Sequence, residues 1–118
     1  VMDQELDELD ESTKLFIGGF SQGCSMAFHN GLSYHKTLGG IIGCSGFLFP
    51  GTTESKENKK VPVFLSHGLQ DELLPWNTCK ISLSKLQNKE RHVTQILEPI
   101  GHGINEKILS SIRVFLQS

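Results

Sequence analysis

At 118 residues, the chain is long enough for one modest hydrophobic core and no more. Its formal net charge of -2 offers no field for nucleic acid or for an anionic membrane surface. No apolar run approaches the roughly 18 residues of a membrane-spanning helix. The three cysteines, Cys24, Cys44 and Cys79, form no Cys-x-x-Cys pair and never meet a histidine at ligand spacing. They are expected to be reduced, mostly buried thiols of a cytoplasmic protein, with no structural zinc.

The chain opens at Val1 in mid-helix with no secretory signal, so it is expected to be a piece of a longer protein. Met2, Leu6 and Leu9 recur at i, i+4, i+7 among six acids. That spacing predicts an amphipathic helix over 2–11 with a solvated acidic face. Lys14 to Phe20 reads as the first strand, and Cys24 to Leu32 as a helix. Leu38 to Leu48 is apolar on both parities, the pattern of a strand covered on both faces of a parallel sheet. Pro50 to Lys60 is a polar loop, expected to lie outside the core and to be mobile. Val61 to Ser66 is a third buried strand whose proline, Pro62, sits at its start. Asn77 to Gln87 is predicted as a helix, with Cys79, Leu83 and Leu86 on one face. His92 to Leu97 is rich in β-branched residues and reads as the fourth strand. The last helix runs from Asn105 to Leu116, with Asn105 as N-cap and Ile108, Ile112 and Phe115 inward. Alternating strands and helices predict an α/β fold, with about four parallel strands flanked by helices.

Between the first strand and the helix after it stands Gly19-Phe20-Ser21-Gln22-Gly23. A Gly-x-Ser-x-Gly run in a strand–turn–helix setting is a nucleophile elbow. Side chains at Gly19 or Gly23 are expected to crowd the strand and helix that the turn brings together. The alternative is a plain tight turn in which Ser21 only caps the helix.

Loops at the carboxyl ends of parallel strands converge on one edge. There, Ser21 follows the first strand, Asp71 the third and His102 the fourth. A serine hydroxyl needs a base, imidazole titrates near neutrality, and a buried carboxylate fixes the imidazole tautomer. The order Ser, Asp, His is that of α/β-hydrolases rather than of trypsin-like or subtilisin-like proteases. The Gln22 N–H, just after the nucleophile, is the candidate oxyanion donor. Gly101 and Gly103 are expected to let the histidine loop approach the elbow. Glu72 is a rival carboxylate, and Asp71 could instead cap the following helix. His67 is expected to shape the acid loop or face solvent, and Trp76 to be core or pocket wall. His29, His35 and His92 stand at the wrong places in the order.

The run Gly18-Gly19-Phe20-Ser21-Gln22-Gly23 resembles the elbow of the acyl-protein thioesterase/lysophospholipase family, the phospholipase/carboxylesterase group of α/β-hydrolases. Cys44-Ser45-Gly46-Phe47-Leu48 resembles the family's Ser-Gly motif, and His67-Gly68-x-x-Asp71-x-x-x-Pro75 its acid loop. Gly101-His102 before an amphipathic helix resembles its histidine loop. Leu69 departs from the acid usual at the third position of the acid loop. The resemblance implies a serine hydrolase acting on acyl thioesters or carboxylic esters: acylated proteins, lysophospholipids or small esters. It also implies that neither metal nor cofactor takes part. By the same resemblance, residues 1–118 are the C-terminal half of the domain. They carry the three candidate catalytic residues but lack the N-terminal strands and the His-Gly loop that gives a second oxyanion donor. The elbow strand would then present an open edge for self-association. The alternative reading is a weakly active or inactive fragment that binds or regulates another chain.

Overall fold

The computed structural model describes residues 14–88 and 90–118; the helix predicted over 2–11 lies outside them. Four strands form one parallel sheet in chain order: β1 (Phe16–Phe20), β2 (Gly40–Cys44), β3 (Val63–Gly68) and β4 (Val93–Glu98). Three helices flank it: α1 (Gln22–Leu32), α2 (Trp76–Leu83) and α3 (Glu106–Gln117). The expected α/β architecture is thus present. Register is level across the sheet, with Phe20 opposite Cys44, Cys44 opposite Ser66, and Ser66 opposite Ile96. The chain therefore leaves β1, β2, β3 and β4 along a single edge, the geometry that gathers loop residues into a site.

Both faces of the sheet are covered, which explains the strands' double-parity apolarity. On one face, Ile41, Val63 and Leu65 pack with Phe28 and Leu32 of α1 and Leu83 of α2. On the other, Cys44 and Phe64 pack with Ile108 and Phe115 of α3, and Phe115 meets the Phe16 ring edge-on. The Asn105 side chain caps α3 by accepting from the Ile108 N–H at 3.0 Å, as its position predicts.

Several boundaries differ from those predicted. The strand expected over 38–48 ends at Cys44, because Ser45 takes φ 59° and turns the chain out of the ladder. Leu48 remains buried beyond it, so apolarity there reports packing rather than strand pairing. The helix expected over 77–87 starts at Trp76, ends at Leu83 and tightens into a 3₁₀ turn, Ser84–Leu86. The polar loop of residues 50–60 is not wholly outside the core. Asn58 is fully buried; it accepts from the Leu38 N–H at 2.9 Å and donates to the Tyr34 and Lys36 carbonyls at 3.0 and 2.9 Å. Arg91, also buried, donates to the Leu86, Asn58 and Lys59 carbonyls and pairs with Glu54. These two side chains anchor the loop to the body of the sheet.

Candidate active site

Ser21 stands at the tip of a strained turn. Its φ of 59° and ψ of -120° lie outside the regions an L-residue ordinarily adopts. The turn is fixed from both sides. The Ser21 N–H donates to the Cys44 carbonyl at 2.8 Å, prolonging the β1–β2 ladder, and the Ser21 carbonyl accepts from Cys24 N–H at 3.0 Å as α1 begins. The Ser21 hydroxyl makes no capping bond to the helix, which removes the plain N-cap alternative. It faces the histidine loop instead.

Crowding at the elbow falls on one glycine only. A Cβ at Gly19 would stand 2.1 Å from the Gly23 carbonyl oxygen, so α1 can pass over β1 only where that side chain is missing. A Cβ at Gly23 would meet nothing within 4 Å. Its outer side opens onto a hollow lined by Ile17, Gly18, Met26 and Asn30 along the free side of β1. The expected close contact at Gly23 is therefore absent among the described residues.

The structure brings Ser21, His102 and Asp71 together. His102 Nε2 lies 3.0 Å from Ser21 Oγ, and its Nδ1 lies 2.6 Å from Asp71 Oδ2. Facing a carboxylate, Nδ1 carries the ring proton; Nε2 is then the acceptor facing the hydroxyl. The Phe20 ring lies against the imidazole, centroid to centroid 4.9 Å. Asp71 is buried, and its other oxygen, Oδ1, accepts from the Leu73 and Leu74 N–H groups at 2.9 and 2.8 Å. Burial alone would raise the Asp71 carboxyl. The Leu74 N–H, the His102 hydrogen bond and the nearby His102 and His67 rings outweigh it and hold the pKa below the usual carboxylate value. Glu72, the rival carboxylate, is exposed. Asp71 does bond the turn that leads into α2, but the same carboxylate reaches His102 with its second oxygen.

The approach of the histidine loop depends on Gly68, not on the glycines beside His102. A Cβ at Gly68 would lie 2.1 Å from the Gly101 carbonyl oxygen and 2.4 Å from that of Ile100, whereas one at Gly101 would meet only the Gln70 carbonyl oxygen at 4.0 Å and one at Gly103 nothing within 4 Å. Leu69 N–H to Glu98 O (2.8 Å) and Gln70 N–H to Ile100 O (2.9 Å) stitch the two loops together over that gap. His67 shapes the acid loop and does not face solvent. It is fully buried, its Nε2 bonds the Leu74 carbonyl at 2.6 Å, and its ring lies against Trp76. Trp76 itself packs against the main core.

The Gln22 N–H starts α1 beside Ser21 and has no hydrogen-bond partner among the described residues, as a donor waiting for an oxyanion requires. It borders a cavity of about 380 Å³ lined by Phe47, Phe49, Leu73 and Leu74 together with Ser21 and His102. These apolar walls have one signal in the sequence, the Leu73-Leu74 pair two residues after Asp71, directly behind the polar Gln70-Asp71-Glu72. The three cysteines are free and buried, and desolvation pushes all three thiols up, away from nucleophilic use. Among the described residues no cluster of His, Cys, Asp and Glu is arranged to hold a metal, and no helix is long and apolar enough to cross a membrane.

Comparison with known proteins matches residues 1–118 to the family described as Phospholipase/Carboxylesterase. An acyl-protein thioesterase 1 of Schizosaccharomyces pombe is 40% identical, with 100% of this chain and 55% of that protein covered. Carboxylesterase SOBER1 of Arabidopsis thaliana is 33% identical, with 99% and 54% covered. The crystal structure of Arabidopsis thaliana SOBER1 superposes with a TM-score of 0.87 at 30% identity, covering 98% of this chain and 58% of that one. The chain thus spans about half the length of the relatives it matches.

Proposed function

The chain belongs to the phospholipase/carboxylesterase family of α/β-hydrolases, and from that premise we propose that its parent protein is a serine hydrolase of acyl thioesters or carboxylic esters. One observation carries the reading: the continuous relay Asp71–His102–Ser21 at 2.6 and 3.0 Å, ending on a strained serine. Ser21 Oγ attacks the acyl carbonyl carbon while its proton passes to His102 Nε2. Asp71 stabilises the imidazolium and keeps its Nδ1 proton in place. The negative carbonyl oxygen is met by the Gln22 N–H. As the tetrahedral intermediate collapses, the bond to the thiolate or alkoxide breaks and His102 returns its proton to that leaving group. A water then attacks the acyl-serine with His102 again as base, releasing the carboxylic acid and restoring Ser21. Every proton in this cycle is moved by His102, and no step calls on a metal or a cofactor.

The likeness to acyl-protein thioesterases favours S-acylated proteins as substrates, and the apolar walls at Phe47 and Leu73 suit an acyl group. The test is hydrolysis of p-nitrophenyl butyrate and of an S-acyl peptide by the full-length parent. Wild-type turnover that Ser21→Ala abolishes supports the proposal. Unchanged turnover in Ser21→Ala sinks it.

A second reading rests on the free side of β1. Among the described residues no strand pairs with that side, and the hollow beside Gly23 is open. An unpaired apolar strand is a template for another strand, so the 118-residue chain alone would associate with itself or bind another chain. Sedimentation of the isolated chain as a monomer with no tendency to associate would dispose of this reading.

A further inference from the structure

Resting on the hydrolase reading above, we propose that Ser45 is a positioning residue for the reaction. Its hydroxyl holds the far side of the histidine loop and so keeps the His102 imidazole within reach of Ser21. The conformation of Ser45 is the first sign. Among the described residues, Ser21 and Ser45 alone take positive φ without being glycine, each at 59°. That region is unfavourable for an L-residue and open to glycine, and the next residue is in fact Gly46. A serine under strain, where glycine would sit without it, points to a role for the one group glycine lacks. That group is the hydroxymethyl.

The hydroxyl has one partner. Ser45 is fully buried, and among the described residues its Oγ makes a single hydrogen bond, donating to the Gly103 carbonyl at 3.4 Å. Gly103 follows His102 directly, and the two sides of the histidine are held differently. Before it, the Glu98 and Ile100 carbonyls accept from the Leu69 and Gln70 N–H groups of the acid loop at 2.8 and 2.9 Å. After it, until Asn105 caps α3, the Ser45 hydroxyl makes the only hydrogen bond to the loop among the described residues. At 3.4 Å that bond is long, so it restrains the loop without locking it.

The backbone of the same turn holds the nucleophile. The Cys44 carbonyl accepts from the Ser21 N–H at 2.8 Å, and the Ser45 N–H donates to the Ser66 carbonyl at 2.9 Å. A Cβ at Gly46 would stand 2.7 Å from the Ser21 carbonyl oxygen, so the turn lies directly against the elbow. Nucleophile and base are thus both tied to one short segment, Cys44 to Gly46. The elbow is bonded to its backbone and the histidine loop to its one hydroxyl. The 3.0 Å between Ser21 Oγ and His102 Nε2 is set across that segment.

The test compares Ser45→Ala and Ser45→Gly in the full-length parent, with p-nitrophenyl butyrate as substrate. Both remove the hydroxyl, but only glycine also relieves the positive φ, so Ser45→Gly keeps the fold even where Ser45→Ala weakens it. Ser45→Gly should melt about 3 °C above Ser45→Ala. Both should nevertheless lose about tenfold in kcat, a part of the roughly 100-fold that a misplacement of 1 Å costs, with KM nearly unchanged. A serine that serves the fold alone gives the opposite pattern: kcat follows stability, and Ser45→Gly turns over as wild type does. Either folded variant within about twofold of the wild-type kcat overturns the role of the hydroxyl, as does a raised KM at unchanged kcat. Butyrate hydrolysis that survives Ser21→Ala overturns the serine reading and this proposal together. Ser21-dependent turnover that neither Ser45 substitution slows removes this proposal alone.

Discussion

Gly68→Ala tests the geometry of the site without touching any reacting group. The added Cβ would stand 2.1 Å from the Gly101 carbonyl oxygen. Both clashing atoms, at Gly101 and Ile100, are backbone carbonyls, so no flexible side chain can swing aside. To reach even 3.0 Å, the tightest limit for such a contact, the Gly101 oxygen must retreat from 2.1 Å by 0.9 Å. His102 is the next residue and shifts with it, disturbing the 3.0 Å contact between its Nε2 and the Ser21 hydroxyl. A misplacement of about 1 Å costs about 100-fold in rate, and overpacking costs about 1–3 kcal/mol of stability. The assay is kcat and KM for a short p-nitrophenyl ester on the full-length parent, beside a denaturant melt. Gly68→Ala should lose about 100-fold in kcat with KM nearly unchanged, while Gly103→Ala, whose Cβ meets nothing within 4 Å, stays close to wild type. A Gly68→Ala enzyme within about threefold of wild type would refute the claim that the histidine loop is placed by contact across Gly68.

Two other perturbations separate charge from packing. Asp71→Asn keeps the size of the side chain but removes the charge that fixes the His102 tautomer; kcat should fall about 10⁴-fold, read by steady-state hydrolysis. The same variant reports on acid stability. Because the folded Asp71 carboxyl titrates below its usual value, its ionised form adds stability above the unfolded pKa of about 3.9 and loses it as pH falls through the lower folded value. Urea melts from about pH 5 downward should therefore show the wild-type advantage over Asp71→Asn shrinking below about pH 4. Asn58→Ala removes the acceptor of the Leu38 N–H and the donor to two backbone carbonyls in a fully buried site. Its expected cost is about 3 kcal/mol, measured by the shift in urea midpoint, with kcat for a short ester little changed.

The parts of this molecule written into the sequence are those set by local chemistry. Strands β2 and β3 appear as apolar runs because both sheet faces are covered, β4 appears through its β-branched residues, and Asn105 announces α3 because an N-cap acts within one turn. The convergence of Ser21, Asp71 and His102 on one edge follows from parallel strands, which the alternation of elements implies, while the strand order and level register belong to the structure. What stayed hidden depends on distant partners. Asn58 and Arg91 look like ordinary loop polarity until Leu38, Leu86 and the loop carbonyls arrive to meet them. The glycines mislead for the same reason. Gly101 and Gly103 flank the histidine and suggest freedom there, yet the close approach falls on Gly68, from a different strand. Apolarity past Cys44 resembles strand because hydrophobicity records burial, whereas the positive φ of Ser45 ends the pairing, and Phe47 beyond it lines the cavity beside Ser21.

The claim on which everything else rests is that Ser21 is an activated nucleophile. A fluorophosphonate probe forms a covalent bond to such a serine and leaves it unreacted where no base withdraws its proton. Intact-mass and peptide mapping of the full-length parent should show one probe per chain, on the peptide containing Ser21, absent in Ser21→Ala and strongly slowed in His102→Ala. Equal labelling of wild type and Ser21→Ala would contradict the account.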